Sequence, residues 1–165
     1  MRFSLAVMAA LVASPALAID DCLVGRWQVD TADMAHVLAT QMSGEASYVG
    51  GGVTMQISAA GDISMLVRDL TINVQIPDTP AMDVAVNGAS RGSIDAENGG
   101  WTLTVVDYDL VGSADVLGST MTIPFNTTSG MFGGGSGNYT CDDGVLSFDS
   151  AGGTPRLPRQ WSRAG

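Results

Sequence analysis

The chain of 165 residues contains no lysine, one histidine and only two cysteines. The absence of lysine excludes Schiff-base chemistry. The single histidine, His36, leaves one candidate base for a Ser-His-Asp or Cys-His arrangement, and no nucleophile stands beside it in the sequence. The glycine-rich stretches do not precede a helix, which argues against a phosphate-cradling loop. We therefore expect a protein that is not an enzyme and needs no cofactor.

Positive charge is also scarce. The sequence has seven arginines and 17 acidic residues, which gives a formal net charge of −10. Such a surface repels phosphate backbones and anionic lipid headgroups, so nucleic acid is not an expected partner. The carboxylate pairs Asp107/Asp109 and Asp142/Asp143 have the chemistry for glycoside hydrolysis or calcium binding. In a chain with 15 aspartates such pairs arise by chance, so we interpret them as solvated and rank a hydrolase last.

Long apolar runs are missing beyond residue 18. The first 18 residues combine one positive charge at Arg2, an apolar run and the ending Ala16-Leu17-Ala18. This order predicts a secretory signal peptide over 1–18, cleaved after Ala18, rather than a buried helix. No later stretch approaches the roughly 20 apolar residues that span a bilayer, and Asp20-Asp21 before Cys22 argue against a lipid anchor. The sequence thus predicts one soluble domain over 19–165, periplasmic or secreted.

The two cysteines, Cys22 and Cys141, are an even pair in a chain that we expect to be exported. Such pairs are normally oxidised, so the sequence predicts one disulfide between them. A metal site built from the two thiolates and His36 lacks the close ligand spacing of known sites. We therefore predict no metal.

One segment has a helical pattern. Either Asp30 or Thr31 can cap it, and Ser43-Gly44 ends it. Between them, the apolar residues repeat with helical spacing on one face; they are Met34, Val37, Leu38 and Met42. His36 lies off this face and is expected to be solvated.

From Val53 onward the apolar residues alternate with polar ones, as in half-buried strands. The pattern predicts strands over 53–57, 63–67, 70–76 and 82–86, with Asn87-Gly88 as a tight hairpin turn. The parity of the pattern shifts at Val105-Val106, which predicts either a bulge or a strand with both faces covered. A glycine-rich segment over 130–137 is predicted to be a mobile loop.

About eight to ten strands follow from this pattern. With one short N-terminal helix, they predict an all-β fold, an antiparallel up-and-down β-barrel, with a β-sandwich as the alternative.

The two ends of the domain add a family resemblance. Gly25-Arg26-Trp27 forms a Gly-x-Trp motif at the start of the first strand, and Trp161-Ser162-Arg163 supplies an aromatic and a basic residue at the far end. In these features the chain resembles the lipocalin-like (calycin) superfamily, in particular its small secreted bacterial members. The resemblance implies that Arg163 or Arg159 packs across Trp27 and closes the base of the barrel. The extended motif and C-terminal histidine of haem-binding barrels are missing.

Two functions remain. The favoured one is an exported binding protein that holds a small hydrophobic molecule inside the barrel, lined by Met55, Ile57, Met65, Val67, Ile72, Val74, Val84 and Leu103. The alternative is a surface or envelope-interaction module whose barrel is filled by its own side chains and whose loops, especially Ser129 to Asn138, contact a partner. The two differ in the unfilled volume of the barrel.

Overall fold

A computed structural model describes residues 19–116, 118–128, 130–153 and 155–165. The predicted signal peptide lies outside the described residues. The elements are β1 (Gly25–Val29), α1 (Thr31–Met42), β2 (Glu45–Ile57), β3 (Asp62–Gln75), β4 (Met82–Glu97), β5 (Gly100–Val116), β6 (Ser119–Pro124), β7 (Gly135–Asp142), β8 (Val145–Ser150) and β9 (Gln160–Arg163).

Eight of the strands form a closed antiparallel barrel. Their order around the ring is β4, β3, β2, β1, β9, β8, β7 and β5, and the pairing of β4 with β5 closes it. Strand β6 lies outside the ring, paired with the second half of β5, over Val111–Val116. The predicted antiparallel barrel is therefore confirmed, and the sandwich alternative is wrong.

Helix α1 lies at the end of the barrel where β1 ends and β2 begins, which we call the mouth; the opposite end is the base. The Asp30 carboxylate accepts hydrogen bonds from the backbone N–H groups of Ala32 and Asp33, both at 3.0 Å. It thereby satisfies two donors that the first helical turn leaves free. Ser43 ends the helix in the left-handed conformation, with φ at 53°.

The predicted apolar face of α1 packs against the barrel. Met34, Val37 and Leu38 are buried and Met42 is partly buried, all in the same apolar cluster as the strands. His36 is exposed, as predicted. The helix therefore covers part of the mouth with apolar side chains.

Strand β3 joins two runs that the sequence pattern separates. Ile63, Met65 and Val67 point inward, and the inward parity resumes at Leu70 after a register shift. Asp69 takes a left-handed φ of 48° at this shift. The irregularity lets one continuous strand keep apolar side chains inside along its whole length.

The predicted hairpin at Asn87-Gly88 is wrong, because β4 runs straight through both residues. Instead of turning the chain, the Asn87 side chain accepts a hydrogen bond of 2.8 Å from the backbone N–H of Asp69, at the irregularity in β3. Gly88 has a φ of 130°, and a Cβ there would lie 1.9 Å from the carbonyl oxygen of Asp109. The glycine serves a close approach of two strands in the barrel wall.

The predicted bulge in β5 is confirmed. Arg91 pairs with Asp107, whereas the next residue, Gly92, pairs with Val105. Val106 is therefore left unpaired, and 79% of it is exposed. The extra residue explains why the apolar parity of the sequence changes at this point.

Candidate functional site

Trp27 lies at the base of the barrel, where it is almost fully buried. Its indole N–H donates to the carbonyl oxygen of Leu23 at 2.9 Å. The guanidinium of Arg163 lies over the ring, 4.4 Å from its centroid. A cation at this distance from an indole face is worth about 0.5–2 kcal/mol.

Arg163 also fixes the turn before β1. It donates to the carbonyl oxygens of Val24 and Cys22, at 3.1 and 3.0 Å. At Gly25 an added Cβ would lie 2.6 Å from the same guanidinium, and φ is 143°. Glycine at this position is therefore required both by the backbone and by the arginine that crosses it.

Arg159, the other candidate for closing the base, lies elsewhere. Its side chain forms a 3.0 Å ion pair with Asp149, and both side chains are more than half exposed. The structure places Arg163 alone over Trp27. Sequence could not separate the two, because register alone decides which one reaches the tryptophan.

Cys22 and Cys141 form a disulfide, with their Sγ atoms 2.15 Å apart. The bond ties the turn before β1 to strand β7. Close by, Tyr139 donates a side-chain hydrogen bond to Asp20. The base is therefore held both covalently and by the Arg163 contacts.

The residues predicted to line a ligand cavity all point into the barrel and are buried; they are Met55, Ile57, Met65, Val67, Ile72, Val74, Val84 and Leu103. They belong to a single apolar cluster that includes residues from α1 and also Met131, Phe132 and Leu157. In the described part of the chain, none of them lines the clefts that contain Trp101, His36, Arg26 or Arg91. Among the described residues, Ser90 is the one buried polar side chain.

The segment predicted as a mobile loop instead fills the mouth. Met131 and Phe132 are fully buried, and Phe132 packs against Trp161 with ring centroids 6.4 Å apart. The Phe132 backbone N–H donates to the Arg156 carbonyl oxygen at 2.8 Å, and Leu157 is buried in the same cluster. From Gly135 the chain continues as strand β7. The loop prediction is confirmed for residues 130–134 and wrong for 135–137, which belong to β7. Met131-Phe132, two large apolar residues among glycines, was a signal for burial.

Tyr108 of β5 contacts the segment that contains Met131 and Phe132. Its hydroxyl donates to the Met131 carbonyl oxygen at 2.7 Å, and burial raises the pKa of Tyr108 from 10.0 to about 12. The folded state holds this proton more tightly than the unfolded chain does. The stabilisation that Tyr108 gives to the folded state is therefore fully present below about pH 10 and is lost as the pH rises towards 12.

We expect the free energy of unfolding to fall between about pH 10 and 12 more steeply in the wild type than in Tyr108→Phe. Urea unfolding at a series of alkaline pH values measures this difference. Burial, with a smaller contribution from Asp20, also raises the pKa of Tyr139 to about 12. This residue is present in both proteins, so the comparison isolates Tyr108. Parallel pH profiles would contradict the assignment.

The remaining candidates from the sequence lie on the surface. Asp107, Asp109, Asp142 and Asp143 are exposed, and Asp107 forms a 3.6 Å ion pair with Arg91. His36 lines a cleft that also contains Asp33 and Ser150. Its side chain makes no hydrogen bond to another described residue.

Two further searches cover the same described residues. No group of three or more histidine, cysteine, aspartate or glutamate side chains there is placed to hold a metal ion. No helix within the described ranges is long and apolar enough to cross a membrane.

A cleft on the outer wall of the barrel contains two arginines and two glycines among its lining residues. It is lined by Arg26 and Gln28 of β1, Gly51, Gly52 and Thr54 of β2, Leu66 and Arg68 of β3, and Ala164 and Gly165. We call it the outer cleft. No local pattern in the sequence indicates it, because its residues come from three strands and from the segment after β9.

Comparison of the chain with protein-family models, with curated proteins and with solved structures finds no match.

Proposed function

We propose that this protein is an exported binding module that uses its barrel as a rigid, self-filled scaffold and binds its partner on the outer surface. The observation that carries this proposal is the burial of Met131 and Phe132 in the mouth, in one apolar cluster with the residues expected to line a ligand cavity. Side chains of the protein itself occupy the space that a carrier would leave for its ligand.

Side chains of the protein cover both ends of the barrel, which also supports a self-filled scaffold. Trp27 and Arg163 cross the base, and α1 and the Phe132 segment cover the mouth. A small-molecule carrier needs a concave site of roughly 300–1,000 Å³ that its ligand can enter. Ligand entry here would require displacement of packed core residues, which favours binding at the surface.

Export is supported by two features that point to the same compartment. Disulfides persist in oxidising environments such as the periplasm and the extracellular medium, and this chain has one. Residues 1–18 have the order of charge, apolar run and small residues that export signals share.

Titration of the oxidised protein, residues 19–165, with the apolar fluorescent probe N-phenyl-1-naphthylamine tests the self-filled barrel. We expect no saturable binding. Native mass spectrometry of protein purified from its own periplasm or medium should give the mass of the oxidised polypeptide alone. One-to-one probe binding, or a retained small apolar molecule, would overturn the proposal and favour the carrier.

A further inference from the structure

Two arginine side chains of this acidic protein have no partner among the described residues. Four of the six arginines in the described residues are engaged: Arg91 and Arg159 with aspartates, Arg156 with the Thr127 carbonyl oxygen, and Arg163 at the base. The side chains of Arg26 and Arg68 make neither a hydrogen bond nor an ion pair with another described residue. With 17 acidic residues in the chain, leaving both guanidinium groups unpaired is notable.

Both unpaired arginines line the outer cleft. Arg26 lies on β1 and Arg68 on β3, with β2 between them. Arg26 pairs with Gln56 and Arg68 with Gly52, four positions apart on β2, so the backbones of the two arginines stand roughly 16 Å apart. No acidic side chain is among the residues that line the cleft. Among the side chains that line the cleft, these two guanidinium groups are the only charged ones, on a protein whose overall charge is negative.

Two adjacent glycines of β2, Gly51 and Gly52, form part of the floor of the outer cleft. Gly52 pairs with the outward-facing Arg68, and a Cβ at Gly52 would meet only the flexible end of Gln28, at 3.2 Å. Its φ lies outside the range that favours glycine, in contrast to Gly51, where φ is 81° and a Cβ would lie 2.0 Å from a backbone oxygen. A strand glycine costs about 0.5–1 kcal/mol relative to alanine. Neither packing nor backbone geometry requires Gly52, and its effect is to keep the cleft open.

The lining has the chemistry to recognise a small anion that also carries hydroxyl groups. Guanidinium groups bind carboxylates with directed, charge-assisted hydrogen bonds. The amide of Gln28 and the hydroxyl of Thr54 can each donate and accept. Leu66, with 36% of its surface exposed, pairs with Thr54 and offers an apolar contact beside it.

The charge of the rest of the protein limits the size of the ligand. Repulsion from acidic groups outside the cleft is screened beyond about 8 Å at physiological ionic strength. A long polyanion would extend over those groups, whereas a short ligand would meet mainly the two arginines. On these grounds, and resting on the proposed function of surface binding, we propose that the outer cleft binds an acidic sugar, a short saccharide that carries a carboxylate.

Isothermal titration of trigalacturonate into the oxidised protein tests this site. We expect saturable binding to the wild type, weakened at least tenfold by Arg26→Gln and by Arg68→Gln. The matched control is Arg91→Gln, which removes an outward-facing arginine that is paired with Asp107 and lies outside this cleft. It should bind within twofold of the wild type.

A second pair of variants tests the open floor. Gly52→Val places a side chain in the cleft and should abolish binding. Gly50→Val adds the same side chain two residues earlier on the same strand, where a Cβ meets nothing within 4 Å, and should leave binding unchanged. Urea unfolding of both variants verifies that each is folded. Equal affinities of the two variants for trigalacturonate would contradict the site.

Comparison of several ligands distinguishes an acidic-sugar site from a general anion site and from a site for acidic peptides. Neutral trigalactose should not bind, and inorganic sulfate should bind at least tenfold more weakly than trigalacturonate. Equal binding of sulfate, or tighter binding of a penta-aspartate peptide, would overturn the assignment to an acidic sugar. A lack of trigalacturonate binding would overturn this inference without touching the proposed function, which fails only if the barrel takes up an apolar ligand.

Discussion

Phe132→Ala is expected to lower the free energy of unfolding by about 3–5 kcal/mol, because it removes a fully buried aromatic ring and leaves a cavity in the mouth. The ring packs against Trp161, and the two residues belong to the same core as the barrel strands. Few neighbours can move into the space, since the backbone of Phe132 is hydrogen-bonded to that of Arg156.

Urea unfolding followed by tryptophan fluorescence measures this change. Val106→Ala is the control, because Val106 is 79% exposed in the β5 bulge, and such surface changes usually stay within about 0.5 kcal/mol. A loss of less than 1 kcal/mol in Phe132→Ala would mean that the ring is not part of the core. It would also remove the main support for a self-filled barrel.

The same variant provides a positive control for ligand binding. An apolar cavity of this origin can hold a small apolar molecule such as benzene. We expect benzene to raise the stability of Phe132→Ala and to leave the wild type unchanged. Stabilisation of both proteins would indicate a cavity that already exists in the wild type.

Replacing both cysteines, Cys22→Ala with Cys141→Ala, is expected to cost about 2–5 kcal/mol of unfolding free energy. The bond joins residues 119 positions apart, and the chain-entropy model assigns about 4–5 kcal/mol to a loop of this length. The loss should also loosen the base, because the Cys22 carbonyl oxygen accepts a hydrogen bond from Arg163.

Comparison of urea unfolding with and without reductant provides the control. Dithiothreitol should destabilise the wild type by an amount close to that of the double substitution, and it should have no effect on the double variant. Insensitivity of the wild type to reductant, together with free thiols in the mature protein, would contradict the disulfide and weaken the case for export.

The sequence determined the features that depend on neighbouring residues. Alternation of apolar and polar residues identifies the inward faces of β2 and β3, and Asp30 and Ser43 mark the ends of α1. The parity change at Val105-Val106 indicates the bulge. These signals are local, since a strand repeats every two residues and a helix every 3.6.

Asn87-Gly88 is a prediction from local sequence that failed. The dipeptide favours a tight turn in isolation. In the barrel, the Asn87 side chain accepts a hydrogen bond from the Asp69 backbone on the neighbouring strand β3, and the absence of a side chain at Gly88 allows the Asp109 backbone to approach closely. The prediction failed because the conformation of Gly88 is decided by contacts with β3 and β5, which the local pattern does not contain.

Tertiary structure alone decided which residues meet. Packing between distant segments placed Phe132 in the mouth and Arg163, rather than Arg159, over Trp27. Strand register brought Arg26 and Arg68 to one cleft across a glycine floor. The physical reason is that the periodicity of each strand fixes which side chains point inward or outward, whereas the pairing of strands fixes their neighbours.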